Sequence, residues 1–283
     1  MAEAGRSVLV TGCSGGIGEC VVRGLQDRGY RVFAAARRRE DVDRLAADGL
    51  DAVQLDVCNS SSIENALDAV LERSGGTLYG LFNNAGYGQP GAVEDLDRDV
   101  LRAQFETNLF GLHELSTRVI PVMRRRAEGR IINNSSVLGL VAMKYRGAYC
   151  ASKFALEGLT DALRLELHGS GIHVSLIEPG PVRSGFRRNA QAAFRRNIDA
   201  AASAHREIYA AVERRLAGSG DAAPFTLGPE AVLKKVIHAL ESPSPKARYY
   251  VTFPTYLFGV LRRVLPTSML DYVLLKASGA ENR

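Results

Sequence analysis

Up to Glu178 the chain alternates short apolar runs with longer stretches of helical period. The runs at 7–10, 31–35, 52–55, 78–82, 130–133 and 173–177 predict strands. Between them, residues 16–28, 61–73, 97–125 and 148–167 repeat apolar positions every three or four residues, which predicts helices. Such alternation makes neighbouring strands parallel and puts helices on both faces of the sheet. The fold class that follows is α/β: a doubly wound, Rossmann-type parallel sheet in three layers, one domain over 1–283.

After Glu178 the rhythm breaks. Pro179-Gly180-Pro181 ends the sixth strand, and 182–225 is polar and rich in Arg and Ala, with scattered Phe186, Phe194, Tyr209 and Phe225. So long a stretch is unusual as bare loop, so a helical substrate lid is expected over 182–228. A helix at 229–241 and a seventh strand at 248–252 follow. The extension 253–283 is apolar but broken by Pro254, Arg262, Arg263, Pro266 and Asp271, short of the roughly 20 apolar residues of a spanning helix. It is expected to close an apolar pocket, form a subunit interface or make peripheral contact with a membrane.

Composition changes this picture little: apolar and charged shares are those of a globular enzyme. The net charge of +5 and the arginine runs favour anions, whether phosphorylated cofactor, nucleic acid or lipid. No nucleic-acid recognition motif or continuous basic helix is present, so no nucleic-acid partner is expected. Cys13, Cys20, Cys58 and Cys150 lack metal or disulfide spacing, and the five histidines are scattered, so no metal is expected. With no signal peptide visible, the expected compartment is the reducing cytoplasm.

Candidate chemistry begins where the first strand runs into Thr11-Gly12-Cys13-Ser14-Gly15-Gly16-Ile17-Gly18 and then a helix. Glycines permit a tight turn there, and the helix N-terminus favours a pyrophosphate. The spacing is T-G-x-x-x-G-x-G, not G-x-G-x-x-G. An NAD site expects an acid at the end of the second strand. Ala34-Ala35-Ala36 stand there instead, followed by Arg37, Arg38 and Arg39. A guanidinium suits the 2′-phosphate of NADP(H), with Arg37 the prime contact and Arg38 the reserve.

Tyr149 and Lys153, four residues apart, share one helix face. A phenol titrates near pH 10 unaided, and a neighbouring ammonium is expected to lower that value. Tyr272 and Lys276 have the same spacing, so spacing alone does not choose. Tyr149 opens a helix after the fifth strand and follows Ser136 by thirteen positions, whereas Tyr272 follows no strand end. Ser135 competes with Ser136, but adjacent side chains at a strand end point apart.

Taken in order, Thr11-Gly12-x-x-x-Gly16-x-Gly18, Asp56, Asn83-Asn84-Ala85-Gly86, Asn108, Ser136, Tyr149-x-x-x-Lys153 and Pro179-Gly180 resemble the short-chain dehydrogenase/reductase family across 7–252. TGCSGGIG, AYCASKFALEGLTDALRLEL and SLIEPGPV are similar to its hydroxysteroid and retinol dehydrogenases, and to bacterial NADP-dependent aldehyde reductases of that group. The resemblance implies that Ser136 bonds the substrate oxygen and Tyr149 exchanges the proton. It further implies that Lys153 holds the ribose and lowers the Tyr149 pKa, and that Asn108 anchors a water leading to Lys153. Gly12, Ser14, Gly16, Ile17 and Gly18 would hold the pyrophosphate, with Asp56 and Val57 at the adenine. Asn83, Ala85 and Gly86 would line the cofactor, and Pro179, Gly180, Val182 and Ser184 would seat the nicotinamide. A small apolar carbonyl or alcohol as substrate, and a homodimer or homotetramer using helix 148–167, are the implied partners. The alternative is an NADP-binding regulatory protein without turnover.

Overall fold

The computed structural model of the chain describes residues 5–218 and 223–281. Its strands are β1 (Ser7–Thr11), β2 (Arg31–Ala36), β3 (Asp51–Gln54), β4 (Gly80–Asn83), β5 (Gly129–Asn134), β6 (Ile172–Glu178) and β7 (Arg248–Tyr250). All neighbours pair in parallel, in the order β3-β2-β1-β4-β5-β6-β7. The helices are α1 (Gly16–Gln26), α2 (Arg39–Ala47), α3 (Ser60–Arg73), α4 (Arg98–Phe105), α5 (Gly111–Arg124), α6 (Gly147–Glu166), α7 (Phe186–Asn197), α8 (Arg206–Ala217), α9 (Glu230–Glu241), α10 (Phe253–Val264) and α11 (Thr267–Glu281).

Side chains alternate across a strand, so each central strand feeds two cores. Val8 and Val10 pack with Val21, Val22 and Leu25 of α1 and Val232 and Val236 of α9. Leu9 points the other way, into Ile63 and Val70 of α3 and Leu115 and Val119 of α5. Each such buried side chain contributes about 1.5–3 kcal/mol. The sheet is therefore the rigid middle of three layers, and the loops that leave its C-terminal edge start from fixed positions.

Three segments depart from the sequence pattern. The helix expected over 97–125 is two helices, joined by a five-residue π turn, Glu106–Phe110. A wider turn inserts a residue without breaking apolar periodicity visibly, and here it turns Asn108 fully into the interior. Helix α2 lies in a charged stretch that buries only Val42 and Leu45, too few to show a stripe. The extension, for which the broken apolar pattern predicted no element, is two helices: Pro254 sits in the first turn of α10, where proline is tolerated, and Pro266 separates α10 from α11.

The insertion between β6 and α9 is α-helical, as expected, with its residues 219–222 outside the described ones. Phe194 of α7 and Tyr209, Val212 and Leu216 of α8 form a separate small core with Ala92. The Tyr209 hydroxyl accepts from the Ala92 N–H at 2.9 Å and donates to Asp95. The insertion is thus seated on the loop after β4.

Candidate active site

Strand order reverses between β1 and β4, which opens a crevice at their C-terminal ends. The Thr11 hydroxyl oxygen bridges it, accepting from the N–H groups of Asn84 and Ala85 at 2.9 Å each. The Asn84 amide donates to the main-chain oxygens of Thr11 at 3.0 Å and Gly12 at 3.3 Å. Gly12 and Gly16 have φ of +72° and +57°, which L side chains rarely adopt. A Cβ on Gly12 would stand 2.9 Å from the Ala85 Cα, one on Gly16 2.8 Å from the Ser184 Cβ, and one on Gly18 2.3 Å from the Gly12 oxygen. The turn is therefore a bare main-chain cradle. No side chain caps the N-terminus of α1, which leaves its first N–H groups for an anion, with Ser14 and Ile17 beside them.

At the end of β2, Arg38 pairs with Asp41 at 3.2 Å and Arg39 with Asp43 at 2.9 Å. Arg37 has no carboxylate partner among the described residues, so its guanidinium is free to meet an incoming phosphate. Past β3, Asp56 accepts from the Cys58 N–H at 3.0 Å, and Val57 is buried against Gly111. The side chain of Asn83 faces away from the crevice. It donates inward to Ser116 and Asn133, both at 2.9 Å, because it lies within β4 and faces α5. Only its main chain is left for the crevice. Asn84, the second residue of the doublet, is the one that braces the turn.

Strand β5 and helix α6 bring the remaining groups together. Ser136 leaves β5 and caps a short 3-10 turn, accepting from the Leu138 N–H at 3.1 Å. Tyr149 lies in the first turn of α6, where Ser136 acts to lower the pKa of its phenol. Lys153 follows one turn on, with its Nζ 5.7 Å from the Tyr149 ring centroid. That Nζ donates to the main-chain oxygen of Asn134 at 2.7 Å. Asn108 donates to the Tyr87 oxygen at 3.0 Å and the Ser152 hydroxyl at 3.1 Å. A Cβ on Gly86 would lie 3.2 Å from Asn108 Oδ1 and 3.9 Å from Lys153 Nζ, so Gly86 keeps the space between them clear. Ser135 points away beneath Gly139. Tyr272 is exposed on α11 with Lys276 over its ring, away from any strand end.

Burial dominates the titration of this pair. It pushes the Tyr149 phenol up to about 12, against the lowering effect of Ser136, and brings Lys153 down to about 8. The expected lowering of the phenol by the ammonium does not appear: burial outweighs the lowering effects of Ser136 and Arg146.

On the far side, Pro179 accepts from the Val137 N–H at 2.8 Å, and Thr252 fills the space where Gly180 lacks a Cβ. Val182 bridges to Leu227. Phe186 stands edge-on to Tyr149, ring centroids 5.3 Å apart. Arg262 of α10 donates to the Leu140 oxygen and lies 4.8 Å over the Phe154 ring, so the extension borders the Ser136 loop. Sequence reading missed Asn84, Asn134, Phe186 and Arg262. Only the Asn83-Asn84 doublet offered a signal.

A family model described as short chain dehydrogenase matches residues 6–194. The chain is 43% identical to the oxidoreductase YbbO of Escherichia coli K12 over 95% of this chain and 94% of that one. It is 32% identical to human 17-beta-hydroxysteroid dehydrogenase type 6, over 95% and 88%. Among solved structures, a short-chain dehydrogenase/reductase of Burkholderia phymatum in complex with NAD superposes with a TM-score of 0.75 at 27% identity, covering 93% of this chain and 94% of that one. A single-substitution variant of actinorhodin polyketide ketoreductase with NADPH gives 0.71 at 30% identity, covering 87% and 95%.

Proposed function

The chain belongs to the short-chain dehydrogenase family, of the hydroxysteroid and retinol dehydrogenase type, and we propose that it is an NADP(H)-dependent oxidoreductase interconverting an apolar aldehyde or ketone and its alcohol. The observation that carries this reading is the meeting of Ser136, Tyr149 and Lys153 beside the glycine-rich turn, at one edge of the sheet.

The cradle of Gly12, Ser14, Gly16, Ile17 and Gly18 suits a pyrophosphate. Asp56 and Val57 suit the adenine, Ala85, Gly86 and the main chain of Asn83 the ribose side, and Pro179, Gly180, Val182 and Ser184 the nicotinamide. Arg37, free while Arg38 is diverted to Asp41, supports NADP(H) over NAD(H). When bound, the cofactor supplies or takes up the hydride. Ser136 and Tyr149 bond the substrate oxygen, and Tyr149 Oη gives its proton in reduction or receives it in oxidation. Lys153 holds the ribose and screens the phenolate that forms, and Asn108 anchors a water beside Gly86 through which a proton returns. A phenol held near 12 is protonated at neutral pH, which suits reduction.

Phe186 against Tyr149, and Phe225 against Phe253 at 4.9 Å, support an apolar substrate under a lid formed by α7 and α8. Exposed Phe154, Leu159 and Leu165 on α6 support assembly of two or four copies through that helix. Four free thiols suit a reducing cytoplasm, and no helix among the described residues is long and apolar enough to cross a membrane. Steady-state kinetics with NADPH and NADH over aldehydes of graded chain length test the reading. Each buried methylene should raise kcat/KM about fourfold, from about 0.8 kcal/mol of transfer free energy, with NADPH preferred. No turnover of any apolar carbonyl would overturn it.

A further inference from the structure

Behind Lys153 lies a buried ionic cluster that neither the cofactor cradle nor the proton transfer uses. Glu157 and Asp161 continue the Lys153 face of α6 at four-residue spacing, and Glu178 ends β6 immediately before Pro179. Arg248, on the neighbouring strand, reaches Asp161 at 2.6 Å, Glu157 at 3.2 Å and Glu178 at 3.2 Å. Glu178 is wholly buried and Glu157 nearly so. Glu157 Oε1 and both Glu178 oxygens lack a hydrogen-bond donor, and Ser135 Oγ, beneath Gly139, is also without a partner. Arg248 is shared with Asp161, which also binds Arg164, so one guanidinium faces more carboxylate charge than it can balance.

Two carboxyls that share one guanidinium in so dry a place resist ionising together. One proton between them supplies the missing hydrogen bond and leaves a single negative charge. Resting on the reading of Lys153 given above, we propose that Glu157 and Glu178 act as a positioning pair: they share one proton, and their single negative charge, one helical turn behind Lys153, keeps its ammonium protonated in a buried site. Placement at both roots of the site supports this, since Glu157 shares a helix face with Lys153 and Glu178 adjoins Pro179-Gly180. The groups facing the pair are Arg248 from β7, Asp161 and Lys153 from α6, Ser135 just past β5 and, electrostatically, Arg263 from α10.

Burial and the charge of Glu157 push the Glu178 carboxyl up to about 9. A carboxyl raised in the folded state contributes stability that is present at low pH and lost as pH rises through the folded value. Glu178→Gln keeps the hydrogen bond and the single charge but cannot lose the proton. Its denaturation midpoint should therefore climb relative to the wild type as pH rises from about 4.5 to about 9. Glu157→Gln removes the charge nearest Lys153 and should move the Lys153 titration, followed by its ε-carbon NMR resonance, to lower pH by roughly half a unit or more. Glu178→Gln should leave that titration in place. Neither measurement needs cofactor or turnover, so an inactive enzyme would defeat the functional reading while leaving these results to stand alone. Infrared spectra of the wild type at pH 7 should show a protonated carboxyl, which serves should Glu157→Gln fail to fold. Parallel stability curves for wild type and Glu178→Gln, an unmoved Lys153 titration in Glu157→Gln, or a wild type without the carboxylic-acid band would each overturn the proposal.

Discussion

Phe186, the first residue of α7, packs edge-on against Tyr149 with ring centroids 5.3 Å apart, so the insertion walls that phenol directly. A Cβ on Gly88 would stand 2.8 Å from the Phe186 ring, which shows how closely the loop after β4 closes the other side. Phe186→Ala should hydrate the phenol, lower its pKa and raise KM for long-chain aldehydes by roughly tenfold, the scale of about 1.4 kcal/mol of lost apolar contact. Steady-state kinetics and a spectrophotometric tyrosine titration check both effects. Unchanged KM with an unchanged titration would remove Phe186 from the pocket.

Arg37 and Arg38 are neighbours in sequence but differ in their partners, since Arg38 already binds Asp41. Charge-assisted hydrogen bonds contribute about 1.5–3 kcal/mol. Arg37→Ala should therefore weaken NADPH binding by roughly ten- to a hundredfold while altering NADH binding little. Arg38→Ala should cost NADPH much less. Fluorescence titration with both nucleotides separates the two residues.

Gly16 combines a φ of +57° with contact to Ser184, so Gly16→Ala meets strain and a clash together. The expected result is a folded protein destabilised by about 1–3 kcal/mol, with cofactor affinity sharply reduced. Chemical denaturation and nucleotide binding read these separately. Affinity equal to the wild type would show that the turn does not cradle the cofactor.

The pH dependence has a definite sign. Because Tyr149 is raised, reduction should be flat through neutral pH, and oxidation, which needs the phenolate, should climb with pH below the phenol's pKa. Lys153 is lowered from 10.5 to about 8, so the folded chain binds fewer protons than the unfolded one between those values. The cost of burying its charge is complete below about 8 and is relieved as pH rises toward 10.5. Lys153→Met should thus be more stable than the wild type at pH 7, by a margin that narrows over that window. A constant margin would contradict a buried, perturbed lysine.

The strands and the glycine turn were legible because each obeys a local rule: apolar runs for the buried parallel sheet, and glycine where φ is positive. Helical spacing alone did not separate Tyr149 and Lys153 from Tyr272 and Lys276; only the place of Tyr149 after the fifth strand did. The π turn at Asn108 was hidden, since one inserted residue leaves the apolar count almost unchanged. Asn84 and Asn134 could not be separated from Asn83 and Asn133 by composition, because only strand register decides which faces the crevice. Among the aromatic residues of the insertion, Phe194 and Tyr209 prove to be core while Phe186 faces Tyr149. Helix α7 had to be placed in three dimensions before that division appeared. The carboxyl pair Glu157 and Glu178 lies far apart in sequence and is joined only by the packing of α6 on β6.

Tyr149→Phe keeps the ring against Phe186 and deletes only the hydroxyl, so it tests the proton transfer most directly. With NADPH and an apolar aldehyde, turnover should fall by about 10²–10⁴-fold while NADPH affinity stays within a few fold of the wild type. Turnover within a few fold of the wild type would contradict Tyr149 as the proton donor.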